Sequence, residues 1–144
     1  MDRFTVRFAA LTFHVTLNDS EHVEVRQRQH STPVRMSPQE SAAAALAVRE
    51  IAELENWPLG IATSRGLGAD ELPVSVEFGG GAYTFRCEPM GHRRVAAARL
   101  ERDGETWIEF DQLQHRQFWI ALAGHLHNAR RRAAARPSPA LAGA

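Results

Sequence analysis

The apolar residues of this chain recur at two different periods, and the alternation between those periods restricts the folds it can adopt. Phe4, Val6 and Phe8 alternate with Thr5 and Arg7, and Leu11, Phe13, Val15 and Leu17 then alternate with Thr12, His14 and Thr16. Alternation places successive side chains on opposite faces of a strand that is wet on one side. The apolar parity switches across Ala9-Ala10, where a turn or bulge lets both runs face one core. Asn18-Asp19-Ser20 is a turn signal, and Val23 and Val25 resume the alternation beyond it. Residues 3–28 therefore read as two or three antiparallel strands.

After Pro33 the period changes. Ser37 is a good N-cap, Pro38 suits the first helical position, and Glu40 completes a capping box with Ser37. Ala43, Ala44, Ala47, Val48, Ile51 and Leu54 make the apolar stripe of a helix that ends near Asn56, ahead of Pro58. Leu59–Thr63 reads as a short strand. Val74, Val76 and Phe78, then Tyr83, Phe85 and Cys87, form a hairpin around Gly79-Gly80-Gly81. Asp103-Gly104 is the dipeptide of a type I′ turn, pairing Arg102 with Glu105, Leu100 with Trp107 and Arg99 with Ile108. From Asp111 to Ala135 the helical period returns, with Phe118, Trp119, Leu122, Leu126 and Ala129 on one side.

Hairpins interleaved with two helices predict an α+β domain over residues 1–135. In it, an antiparallel sheet carries helices at about 38–56 and 111–135. Residues 136–144 have too little apolar bulk to pack and read as a mobile tail. No stretch is apolar for the roughly 18–20 residues needed to cross a bilayer, and Met1–Leu17 reads as strand rather than leader. These features predict a cytoplasmic protein of bacterial type that has no membrane partner.

Chemistry-bearing patterns are few. The seventeen basic residues are all arginine, so neither a Schiff-base lysine nor a P-loop lysine exists in the sequence. Gly79-Gly80-Gly81 is followed by strand alternation instead of the helix that a phosphate loop requires. His125 and His127 are two apart and so point about 200° from one another on a helix, unlike helical metal ligands. Cys87 sits at an inward strand position, where thiols are inert filler. His115 falls on the apolar side of the second helix and reads as a half-buried histidine bonded to backbone. No cofactor and no metal are expected.

On the first hairpin, pairing Val15 with Val23 would set His14 beside Glu24 and Thr16 beside His22. The resulting ladder of His14, His22 and Glu24 is either a set of cross-strand pairs or an acid/base couple.

Charge carries more information than any motif. Seventeen arginines balance seventeen acids, but residues 112–144 hold five arginines and no acid, while residues 40–111 hold thirteen acids and seven arginines. An acid-free helix end with Arg130, Arg131 and Arg132, together with Arg26, Arg28 and Trp119, is the expected partner-binding set. The expected function is non-enzymatic: an adaptor or stoichiometric inhibitor or regulator that engages another protein through an acidic surface on that protein. Nucleic-acid binding by the arginine-rich helix is one alternative. A small enzyme built on His14, His22 and Glu24, or on His115, is another. A homodimer is expected if Phe118, Trp119 and Leu122 exceed what the sheet can cover.

Overall fold

The computed structural model describes residues 2–8, 11–17, 22–27, 32–55, 61–63, 75–89 and 95–135. The fold is α+β, with eight strands and two helices in those segments. The strands are β1 (Asp2–Phe8), β2 (Leu11–Leu17), β3 (Val23–Gln27), β4 (Ile61–Thr63), β5 (Ser75–Phe78), β6 (Tyr83–Pro89), β7 (Val95–Arg102) and β8 (Glu105–Glu109). The helices are α1 (Pro38–Glu55) and α2 (Leu113–Ala135). The mobile-tail expectation for 136–144, and Arg28 among the expected partner contacts, lie outside the described residues.

Two four-stranded sheets form, in the orders β3-β2-β1-β4 and β5-β6-β7-β8. The second is an antiparallel meander. In the first, β4 joins β1 in parallel, Phe4 opposite Ala62, which period alone does not reveal. The chain thus runs through a three-strand meander and a helix twice over: β1-β2-β3-α1, then β6-β7-β8-α2.

Alternation placed the side chains on the correct faces, but it did not fix the register. Val15 pairs with Val25, not Val23, and Leu17 with Val23. A two-residue slide preserves parity, so every valine keeps its inward face and the hydrophobic pattern cannot distinguish the two pairings. At Asp103-Gly104, φ values of 52° and 83° show the left-handed turn expected of this dipeptide, with Arg102 opposite Glu105. A bulge between Leu100 and Glu101 then moves Leu100 to Ile108 and Arg99 to Glu109.

Helix α2 is the centre of the molecule. Phe118 through Leu126 are buried without a break, so this stretch has no wet face. Trp119, fully buried, lies 5.8 Å from Phe78, 6.0 Å from Phe85, 5.6 Å from Phe110 and 6.0 Å from Phe118 between ring centroids. Phe118 in turn meets Phe13 of the first sheet edge-on at 5.8 Å. One aromatic chain therefore joins both sheets through α2. Phe118, Trp119 and Leu122 are covered within the protomer, which removes the leftover apolar surface on which a homodimer was expected.

The two helices run side by side in the same direction. Glu40 near the start of α1 meets His115 and Trp119, Glu50 meets Arg130, and Glu55 meets Arg132. Parallel packing sets two negative helix ends together, and α1 has no basic residue in its last turn. The arginines of α2 offset both dipoles and the α1 carboxylates at once. Close approach is possible because Ala43, Ala44 and Ala47 on α1 are buried and have no bulk.

Candidate functional site

Three polar groups lie in the core where the two helices start. Ser37 Oγ accepts the Glu40 amide at 3.0 Å, the N-cap bond expected of this sequence. The Glu40 side chain does not turn back to complete a capping box. It is buried, and its Oε1 accepts Trp119 Nε1–H at 3.1 Å while the carboxylate sits 3.0–3.1 Å from His115 Nδ1. His115 is bonded to this carboxylate, not to the backbone as expected, because α1 delivers an acceptor directly over it. Glu40, Ala44, Ala47 and Ile51 share the spacing of one helical stripe, so a glutamate at the head of that stripe points inward.

This cluster joins the starts of the two helices: Glu40 and Trp119 are buried, and the His115 side chain is 12 % exposed. His115 Nε2 is buried without a hydrogen-bond partner among the described residues. A base needs its reacting nitrogen within reach of a substrate, and in this arrangement His115 Nε2 is buried. Next to the cluster, Ser41 Oγ accepts Val23 N–H at 2.5 Å and donates to the Val23 carbonyl at 3.2 Å. Val34 N–H donates to the Val25 carbonyl at 2.7 Å. Together these bonds cover the outer side of β3, so this sheet edge is capped by its own chain.

The outward ladder of the first hairpin does not pair His14 with Glu24. His14 lies opposite Arg26, and Thr16 lies opposite Glu24. Glu24 is instead paired with Arg26 on its own strand, at 2.8 Å. The two-residue slide in register thus separates His14 from the carboxylate, and His22 falls before β3 begins. The observed pair is an exposed, same-strand ion pair.

The arginine-rich helix end is neutralised from within. Arg130 Nη2 is 2.6 Å from Glu50, and Arg132 Nε donates to Glu55 at 2.9 Å. Arg131 remains exposed, with no ion pair among the described residues. Trp119, expected at an interface, is core. Charges segregated along the sequence are therefore interleaved in space, because a parallel helix pair sets the acid-rich end of α1 against the base-rich end of α2.

Surface features of a different kind gather on the second sheet. Tyr83 stacks on Phe78 at 5.4 Å and tilts against Trp107 at 5.5 Å. The Arg102 guanidinium lies over both rings, 5.7 Å from Tyr83 and 5.4 Å from Trp107. Both aromatics are half-buried, and Leu46 of α1, 40 % exposed, reaches the Gly79 turn beside Tyr83. Gly79, at φ 63°, opens the hairpin turn beneath this rim, where a Cβ would lie 3.1 Å from the Tyr83 ring. On the outward face, Glu101 accepts Arg86 Nε–H at 2.6 Å and Arg99 Nε–H at 3.1 Å. The Arg86 hydrogen bond, with Arg99 beside it, holds the Glu101 carboxyl below its ordinary value.

A group whose pKa falls on folding stabilises the fold above its unfolded value, and that contribution is lost as pH drops through the folded value. The Glu101→Gln variant is therefore expected to show a shallower loss of Tm than the parent between about pH 6 and pH 3. Thermal melts across that range check it. Equal slopes would show that the two-arginine clamp contributes nothing.

Burial pushes the Cys87 thiol up to about 11, which keeps it protonated and unreactive at neutral pH. Among the described residues no three His, Cys, Asp or Glu side chains are grouped to hold a metal ion, and no helix is long and apolar enough to cross a membrane. Compared with protein-family models, with characterised proteins and with solved structures, the chain matches none.

Proposed function

We propose that this protein is a non-enzymatic cytoplasmic binding module, an adaptor or stoichiometric regulator, that docks another protein on its second sheet. The observation that carries this reading is the half-exposed Tyr83–Arg102–Trp107 stack at the β6–β7–β8 rim. Tyr, Trp and Arg dominate interface energetics: the aromatics offer a large contact area at low entropy cost, and the guanidinium adds hydrogen bonds and ring stacking. Beside the stack, no described residue pairs with the outer side of β8, in contrast to the capped edge of β3.

The chemistry of the rim selects the partner. Residues 75–89 and 95–112 carry seven acids against three arginines. Glu77, Asp103, Glu105 and Glu109 are exposed and make no ion pair among the described residues. An extended basic segment that adds to β8 would gain main-chain hydrogen bonds from the edge and charge complementarity from these acids. The expected acidic partner surface is replaced by a basic one, since Arg130 and Arg132 are already occupied. A second copy fits the edge poorly: antiparallel pairing about Trp107 would set Glu105 against Glu109, and like charges opposite one another destabilise.

Two experiments test the proposal. A fluorescent peptide of alternating arginine and valine should bind the full chain with salt-sensitive affinity, and Trp107→Ala should weaken binding by about 2 kcal/mol or more. Affinity capture from cell extract, with and without nuclease, should enrich a protein that Trp107→Ala fails to retain. Peptide binding unchanged in Trp107→Ala, or capture that nuclease abolishes, would overturn the proposal, the latter in favour of nucleic acid.

A further inference from the structure

A separate feature lies at the opposite end of the second sheet from the hairpin turns. There the ends of β6 and β7, the last residue of β8 and the first turn of α2 enclose an open cleft of about 320 Å³. That is the lower end of the range for small-molecule sites, about 300–1,000 Å³. Cys87, Ala98 and Phe110 give it an apolar wall.

The charged groups around this wall differ in how they are satisfied. Arg86 and Arg99 line the cleft but are committed to Glu101. Arg116, also lining it, is partly buried and has no carboxylate partner. Its Nη1 donates to two carbonyls, Phe110 at 3.0 Å and Asp111 at 2.7 Å, which fix the guanidinium plane. A partly desolvated cation that is anchored yet lacks a counter-ion is preorganised for an anionic group. Glu88, Glu109 and Asp111 face the same cleft, exposed and without ion pairs among the described residues.

From this arrangement we propose that the cleft binds a small zwitterion, an α-amino acid or a dipeptide. Its carboxylate engages Arg116, its ammonium engages Glu109 and Asp111, and its apolar part lies against Phe110. A polyanion such as phosphate would meet three unpaired carboxylates, and a polycation would meet three guanidiniums. A ligand carrying both signs satisfies each set. Of the groups that bind here only Glu109 also belongs to the β8 edge, and the Tyr83–Arg102–Trp107 stack takes no part in this site.

The test is calorimetric titration of the full chain with L-alanyl-L-alanine, its N-acetyl derivative, its C-terminal amide, inorganic phosphate and putrescine. Saturable binding of the dipeptide is expected, with at least about a tenfold loss when either end is blocked. Arg116→Gln should weaken dipeptide binding by a similar factor. Glu109→Gln, an exposed change that leaves the core intact, should weaken the dipeptide but not the N-acetyl derivative, and it decides the matter if Arg116→Gln fails to fold. No saturable dipeptide binding, phosphate or putrescine binding as tightly as the dipeptide, or unchanged affinity in Glu109→Gln would overturn the proposal.

Discussion

Replacing Glu40 with alanine is expected to lower the folding free energy by about 3–5 kcal/mol, far more than any surface carboxylate in this chain. The change removes one side chain but strands two donors, since Trp119 Nε1–H and His115 Nδ1 both direct their bonds at that carboxylate. Trp119 is fully buried, so water cannot replace the acceptor for its indole, and the His115 side chain is only 12 % exposed. The cost is dominated by those orphaned groups more than by the hydrogen bonds themselves, whose net worth is only about 1 kcal/mol each. Glu40→Gln keeps one carbonyl acceptor and should lose clearly less. Urea denaturation of the parent, Glu40→Ala and Glu40→Gln gives the ranking directly. A Glu40→Ala cost under about 1 kcal/mol would mean that the core admits water, and that the carboxylate is not what fixes the start of α1 against α2.

The same residue shows how far the sequence could be read. Ser37-Pro38 and Asp103-Gly104 specify local geometry through their own side chains and backbone preferences, so the start of α1 and the turn of the last hairpin are found where expected. Parity likewise specifies which face of a strand is buried, and Phe13, Val15, Val25, Phe85 and Leu100 all turn inward. Properties that depend on two distant segments were not legible. Moving β3 by two residues costs the pattern nothing, so the supposed His14–Glu24 couple gave way to an Arg26–Glu24 pair. The parallel addition of β4 to β1 left no periodic trace. The charge asymmetry was real along the chain, yet it was partly offset once α1 and α2 aligned and Glu50 met Arg130 and Glu55 met Arg132. Of the expected contact residues only Arg131 is an exposed arginine without an ion pair among the described residues, while the Tyr83–Arg102–Trp107 rim arose from a bulge in β8 pairing that no local signal announces.

Trp119→Ala is expected to be at least as damaging, about 3–5 kcal/mol from the lost ring alone. The indole is the common neighbour of Phe78, Phe85, Phe110 and Phe118, rings that come from β5, β6, the β8–α2 junction and α2 itself. Removing it opens a cavity between α2 and the second sheet, and the flanking strands cannot collapse into that space without breaking their ladders. The loss should lower Tm by about 10–15 °C in a chain of this size. Trp119→Phe separates the two contributions of the side chain, because it keeps most of the ring contact and deletes only the donor to Glu40. In a double-mutant cycle, Trp119→Phe and Glu40→Gln should be non-additive, with a coupling of about 0.5–3 kcal/mol typical of groups in one buried network. Additivity within error would show that the indole stabilises this fold only by its bulk. The carboxylate would then be held by His115 alone, and the two helices would be joined by packing rather than by a shared polar core.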